Sequence, residues 1–442
     1  MSTLILSPTI VSEGKIYHAS VLIGEDGRID DIISDGSPTP SAAKTIDAHD
    51  MLLFPGAIDA HVHFRDPGLT HKADMTSESA AAVSGGVTTV FDMPNTMPQT
   101  TTTEAWQEKM RSAQGRMHTN YSFYIGATNN NLGVLMHTDY SQICGIKLFM
   151  GSSTGGMLVD NDETLRQLFR NAPTIIAAHC EDESIIRANS ELARQQYGDK
   201  VPWREHANIR SAEACIKSSA HAVSLAREAG ARLHILHITT ADELSLLDKG
   251  SIGERRITGE ACPAHLFFTN QDYDRLGPLI KCNPSVKTQH DRDALRQAVA
   301  NKQITTIGTD HAPHALTEKN SKSYWHTPSG MPMIEHSLPL MLRLADEGCW
   351  NYTDVAACMA ENVAELYGMK DRGYIRRGYF ADLALVQKTD WTIENVRYKC
   401  QWTPLLNEKL HHKIVYTFVN GQIAYDNGNL ATANGQAVEF LR

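Results

Sequence analysis

The sequence predicts an α/β protein: a (β/α)8 barrel over residues 54–370, carrying a small β-sandwich built from residues 1–53 and 371–442. Three observations predict it. Short β-like runs with turn signals occupy both ends of the chain. Between them, eight apolar runs alternate with helical patterns. Imidazole and charged side chains gather at the C-terminal ends of those runs, the face on which such barrels carry their sites.

The elements follow in order. Ala19–Gly24, a turn at Glu25-Asp26-Gly27-Arg28 and Ile29–Ile33 read as a hairpin. The eight barrel strands are Leu52–His63, Thr88–Met93, Tyr121–Ala127, Cys144–Phe149, Thr174–His179, Arg232–Ile238, Arg256–Cys262 and Ile304–Thr309. Helical periodicity covers Thr76–Ser84, Asn161–Arg170, Ser211–Ala229 and Gln289–Ala300, and is weakest over Asn129–Gln142. The chain ends as it began. Tyr374–Val386 and Ile414–Tyr425 read as strands, the second folded on an Asn420-Gly421 turn.

The 442 residues suffice for one large barrel and an accessory domain, and 42% apolar with 21% charged residues is ordinary for a globular protein. The formal net charge is −10, without a long basic run. That argues against the basic stripe of a nucleic-acid surface, but not against an anionic small molecule in a locally positive pocket. The eight cysteines form no Cys-x-x-Cys pair, which argues against a structural zinc knuckle. Met1-Ser-Thr-Leu-Ile-Leu-Ser-Pro lacks the features of a secretory signal, and no apolar run reaches a membrane span. The expectations are no membrane association and a reducing cytoplasm.

The chemistry begins at Asp59-Ala60-His61-Val62-His63-Phe64-Arg65-Asp66-Pro67-Gly68. Residues i and i+2 of a strand share a face, so His61 and His63 can converge on one metal ion. Arg65 follows on that face if the strand continues. His-x-His alone is common on ordinary strands, and the other runs decide. Lys147 lies near the end of the fourth strand, His179 and His237 end the fifth and sixth, and Asp310 follows the eighth. Singly, each has a bland reading: a structural histidine, a snorkelling lysine, a helix-capping aspartate. Together they fall on one rim. Imidazoles and a carboxylate suit Zn²⁺ or a similar ion. Six groups are too many for one tetrahedral zinc and suit two divalent metals about 3.5–4 Å apart. An ammonium cannot bind a metal. A buried, neutral lysine carboxylated by CO2 can bridge two.

With these motifs the chain resembles the cyclic amidohydrolases, metal-dependent TIM-barrel hydrolases, and within them the dihydroorotases. The resemblance covers nearly the whole length. It rests on His61-Val-His-Phe-Arg-Asp-Pro-Gly, Asp92-Met-Pro-Asn, Gly145-Ile-Lys, Ala178-His-Cys-Glu, Leu236-His-Ile-Thr, Cys282-Asn-Pro and Gly308-Thr-Asp-His-Ala-Pro-His. It implies reversible ring closure of N-carbamoyl-L-aspartate to L-dihydroorotate in pyrimidine (UMP) biosynthesis, with two divalent metals, Zn²⁺ foremost. It implies His61, His63 and Asp310 on one metal, His179 and His237 on the other, carboxylated Lys147 as the bridge, and Asp310 as proton shuttle. The implied substrate contacts are Arg65, Asn95 and His314 on a carboxylate, Asn283 on the pyrimidine ring, and the Ser329-Gly330 backbone on the ring amide. Some relatives replace the lysine by a downstream aspartate, but here Gly151 stands at that place and no carboxylate occurs before Asp160.

The chain departs from the family pattern in three places. Asn283-Pro-Ser-Val-Lys replaces Asn-Pro-Pro-Leu-Arg, Ala315–Pro328 is long and polar, and Glu260-Ala-Cys-Pro-Ala-His265 is closer to the hydantoinase branch. Hydantoinase (dihydropyrimidinase), allantoinase and a non-catalytic scaffold stay open as alternatives. An arginine facing a neutral ring would be unpaired, which disfavours the first. Retention of all six ligand candidates disfavours the last. A homodimer and docking to aspartate transcarbamoylase are compatible with the resemblance.

Overall fold

The expected first strand is two strands. In the computed structural model, which describes residues 2–151 and 156–442, Met51–Pro55 and Ala57–Val62 are separated at Gly56. A Cβ at Gly56 would stand 2.2 Å from Thr88 Cγ2, so only glycine lets the chain pass there. Met51–Pro55 pairs with Leu383–Thr392 and Thr9–Ser12, whereas Ala57–Val62 pairs in parallel with Val87–Asp92. Met51–Pro55 thus joins strands from the two chain ends.

Among the described residues, strands from both ends form one ten-stranded sheet. Its strand Lys15–Ile23 pairs with Thr9–Ser12 through its first half, and with Thr3–Leu6 and Ile29–Ser34 through its second. Ile5, Val21, Leu53, Leu385 and Phe418 gather around one core. The Asn420-Gly421 turn joins Lys409–Val419 to Gln422–Asp426 with both residues at positive φ, 52° and 73°. This is the two-residue turn that matches strand twist. The expected strand Tyr374–Val386 begins only at Leu383. Gly373 and Gly378 take φ of 84° and 83°, which breaks the extended geometry before it. The tail also leaves the sheet: Ala437 bridges Tyr121, and Phe440 packs against Phe91.

The middle of the chain supplies parallel strands in chain order. Ala57–Val62, Val87–Asp92 and Asn120–Phe123 form one set; Ile125–Gly126, Ile146–Phe149, Ile176–His179, Leu233–Ile235, Ile257–Ala261 and Thr306–Ile307 form the next. Only Tyr124 separates the two sets, and its N–H reaches Asp92 O at 3.1 Å. At the far edge Val62 bridges His311, and the His63 N–H donates to His311 O at 2.7 Å, so the chain after the last strand lies beside the first. These strands are shorter than the apolar runs that predict them. All their residues are buried, as for parallel strands covered on both faces.

Helices Met75–Ser84, Asp162–Asn171, Ala212–Ala229 and Gln289–Ala300 form where periodicity places them, each opened by a side-chain cap from Asp74, Asn161, Ser211 or Thr288. The weak third crossover yields only Leu132–His137. Ile58, Ala60, Phe91, Tyr124 and Leu236 form a second core with Tyr367, and the Tyr124 hydroxyl meets Ala60 O at 3.0 Å and the Tyr367 hydroxyl at 2.7 Å.

Candidate metal and substrate site

All twelve candidate residues line one cavity at the C-terminal ends of the parallel strands, together with Phe149 and Ala312. His61 and His63 approach the same oxygen, Asp310 Oδ1, at 3.3 and 3.1 Å from their Nε2 atoms. The i, i+2 spacing brings them there. Arg65 arrives differently, because the strand stops at Val62 and Arg65 sits in a turn at φ 65°. His237 and Asp310 lie beyond their strands at φ 37° and 49°. Left-handed backbone costs an ordinary residue about 1–3 kcal/mol, and such strain gathers where function requires a side chain to be aimed.

Carboxylate or amide partners fix the rings of His61, His63 and His179. The Nδ1 of His61 lies 2.6 Å from Glu260 Oε1, which also accepts the His237 N–H at 3.2 Å. The Nδ1 of His63 lies 2.8 Å from Asn95 Oδ1. Both histidines thereby carry their proton on Nδ1 and present an Nε2 lone pair toward Asp310. The Nε2 of His179 lies 3.0 Å from Glu181 Oε2, and Glu181 is ion-paired with Arg210. This leaves His179 Nδ1 facing His237 Nε2 at 2.9 Å. Asp59 Oδ1 accepts the N–H groups of Thr309 and His61, tying the first strand to the segment that carries Asp310. Asp92 Oδ1 accepts the Phe64 N–H, and Asp92 is ion-paired with buried Lys109, bracing the turn before Arg65.

The electrostatics favour a metal. Burial pushes His63 down to about 4, and His179 and His237 also go down, so these rings are neutral and offer lone pairs. Burial alone would raise the Asp310 carboxyl, but His61 and His63, then Lys147, hold it well below the usual carboxylate range. Burial brings Lys147 down to about 8; its Nζ lies 4.5 Å above the Phe149 ring. Among the described residues, His61, His63 and Asp310 form one compact ligand group and His61, Glu260 and Cys262 another. In the second, Glu260 already holds His61, and burial keeps the Cys262 thiol protonated. The first group, with the His179–His237 nitrogen pair beside it (the His61 and His237 ring centroids are 5.2 Å apart), has the donor set for divalent metal ions.

The rest of the lining suits an anionic, hydrogen-bonding ligand. Arg65 is buried; its Nε donates to Pro313 O at 3.0 Å, and among the described residues it forms no ion pair. His314 is held as the Nε2–H tautomer, donating to Ser329 O at 3.0 Å while Lys72 donates to its Nδ1 at 3.1 Å. Arg65 lies 3.2 Å from His314 Nε2, and burial beside Arg65 and Lys72 keeps His314 neutral. Among the described residues the buried Asn283 Oδ1 has no hydrogen-bond partner, so a ligand N–H would satisfy it. Gly330, at φ 132°, gives its N–H to Lys281 O.

Several functional neighbours have no role in the sequence-based reading. Glu260 and Asp59 carry a detectable signal, a carboxylate inside an apolar strand. Asn95 has a second task, orienting His63. Trp402, far along the chain, donates to His314 O at 2.7 Å and has no local signal.

Comparisons with known proteins identify relatives of this chain. The family model described as "Amidohydrolase family" matches residues 52–424. The dihydroorotase of Halobacterium salinarum is 33% identical, covering 93% of this chain and 97% of that protein. An allantoinase of Rubrobacter xylanophilus is 28% identical, covering 98% and 97%. The solved L-hydantoinase (dihydropyrimidinase) of Arthrobacter aurescens is similar with a TM-score of 0.92 at 27% identity, covering 99% of each chain.

Proposed function

The chain belongs to the amidohydrolase family, a family of TIM-barrel enzymes that here acts on cyclic amides, and from that premise we propose that it is a dihydroorotase interconverting L-dihydroorotate and N-carbamoyl-L-aspartate. The observation that carries this reading is Arg65: a buried cation without a carboxylate partner among the described residues, on the wall of the cavity that holds the ligand group. A substrate carboxylate would complete it, through the planar, bidentate fork that arginine offers. The sheets are read accordingly as a (β/α)8 barrel and a β-sandwich made from both termini.

His61, His63 and Asp310 would hold one divalent ion and His179 and His237 a second, with Lys147, carboxylated by CO2, between them; zinc suits these ligands. When bound, the metals supply hydroxide near neutral pH and polarise the ring carbonyl. In hydrolysis, water adds to the ring amide carbon, the C–N bond breaks, and the nitrogen leaves with a proton. Asp310 accepts the water proton on a carboxylate oxygen and returns it to that nitrogen. Arg65, Asn95 and His314 grip the substrate carboxylate and so place the carbonyl for attack. Asn283 Oδ1 accepts a ring N–H, and the Ser329-Gly330 backbone holds the ring amide. Synthesis runs these steps backward. The cytoplasm suits such a small-molecule enzyme; among the described residues no helix is long and apolar enough to cross a membrane.

The similarity to the L-hydantoinase supports a second reading, hydrolysis of neutral cyclic ureides. Parallel turnover of dihydroorotate, hydantoin, dihydrouracil and allantoin by metal-analysed protein separates the two. Dihydroorotate should dominate, and preference for any neutral ring would overturn the proposal.

A further inference from the structure

Ser329 and Gly330 enter the cavity from a segment with little regular structure, a single helical turn at Leu316–Lys319 followed by loop. Such a segment cannot hold a ligand contact unless something fixes it. A buried ammonium does so. Lys319 is fully buried, and its Nζ donates to three main-chain carbonyls: Lys281 O at 3.1 Å, Pro328 O at 3.0 Å and Gly330 O at 2.9 Å. Three N–H donors meet three acceptors, the full capacity of the group. A lysine among apolar residues ordinarily snorkels to water, and this one does not. Burial, with Lys281 and Arg65 nearby, brings it down to about 7, so the three-donor clasp is complete below neutral pH and gives up one donor above it.

The clasp reaches both implied ring contacts. The Gly330 N–H donates to Lys281 O at 2.9 Å, and Lys281 Nζ in turn donates to Tyr324 O at 2.7 Å and Thr327 O at 2.6 Å. His206 bridges the same two segments. Its Nε2–H donates to Cys282 O at 2.7 Å, and its Nδ1 accepts the Tyr324 hydroxyl at 2.6 Å. Asn283 therefore sits on a segment locked to the one that carries Ser329-Gly330, with Lys319 at the junction. Gly330 has no slack, since a Cβ there would stand 2.5 Å from Ala312 O.

We propose that Lys319 is a positioning residue for the substrate ring, an internal cation that fixes Asn283 and the Ser329-Gly330 backbone relative to each other. It sets ring affinity and leaves the metal ligands untouched. The identity of that ring rests on the dihydroorotase reading.

Two variants test it. Lys319→Ala opens a nest of three carbonyls sized for a small cation, whereas Lys319→Met fills the space with an apolar chain that cannot donate. Both should raise KM for dihydroorotate by about tenfold, the worth of one well-placed hydrogen bond. The value of kcat and the metal content should stay near wild type. Added ammonium or methylammonium should lower KM again in Lys319→Ala, but not in Lys319→Met. An unchanged KM in Lys319→Met, or loss of kcat and metal together in both variants, would overturn the proposal. A wild type that leaves dihydroorotate untouched defeats the dihydroorotase reading instead. The clasp is then read through KM for whichever cyclic amide the wild type hydrolyses.

Discussion

Glu260→Leu is the perturbation that most directly probes how the ligand geometry is held. Glu260 Oε1 accepts from His61 Nδ1 at 2.6 Å and from the His237 N–H at 3.2 Å, and none of these groups reaches solvent. A leucine leaves two buried donors without an acceptor, at about 1–3 kcal/mol each. Part of that cost falls on folding. The rest falls on His61, whose ring is then free to turn its Nε2 away from Asp310. Loss of such an orienting partner typically lowers metal affinity or activity about 10–100-fold, equivalent to about 1.4–2.7 kcal/mol. Glu260→Gln keeps an oxygen acceptor and loses only the charge, so its effect should be smaller. Gly308 explains why the site tolerates nothing larger alongside: a Cβ there would stand 2.3 Å from Glu260 Oε2. The assay is chelator-competition titration of metal affinity, with kcat/KM at saturating metal and a thermal melt alongside. A folded Glu260→Leu protein with wild-type metal affinity would refute the orienting role, as would equal losses in Gln and Leu.

Other outcomes follow from the same geometry. Lys147→Ala should lose metal and activity, with partial recovery on adding short carboxylic acids; a fully metallated, active variant would rule out a bridge at that position. Exhaustive chelation should abolish turnover, and a divalent ion such as Zn²⁺ should restore it; activity that survives with metal below detection contradicts the two-metal reading. Gly421→Ala should destabilise the protein by at least about 1 kcal/mol, because φ is 73° and the new Cβ would stand 2.3 Å from Gly27 Cα. An unchanged melting temperature would show that this contact is easily relieved.

The parts of the site legible from sequence are those set by local geometry. His61 and His63 are paired by strand periodicity, and His179 by the end of an apolar run. Lys147 and Asp310 are found by the rule that the chemistry of parallel strands lies at their C-terminal ends. Partners that depend on distant chain meeting in space are another matter. Glu260 lies 199 positions from His61, and a carboxylate in a buried strand looks alike whether it orients a histidine or pairs with a lysine. Trp402 reaches His314 from a segment that the sequence assigns to the terminal β-rich part. Arg65 illustrates a half-legible case: its place in the cavity agrees with the sequence, but the strand expected to carry it ends at Val62, and a left-handed turn aims it instead. In the fold, the run from Leu52 to His63 reads as one strand because both pieces are apolar. Only the close approach at Gly56 splits it between two sheets.

The central claim is that Arg65 selects a substrate bearing a carboxylate. The direct measurement compares kcat/KM for dihydroorotate with that for dihydrouracil, which lacks the carboxylate, in wild type and in Arg65→Met. A buried, charge-assisted contact of this kind is worth about 2–5 kcal/mol. Wild type should prefer dihydroorotate, and Arg65→Met should cut that preference at least about 30-fold, mainly through KM, with metal content unchanged. Equal preference in both proteins would contradict the account.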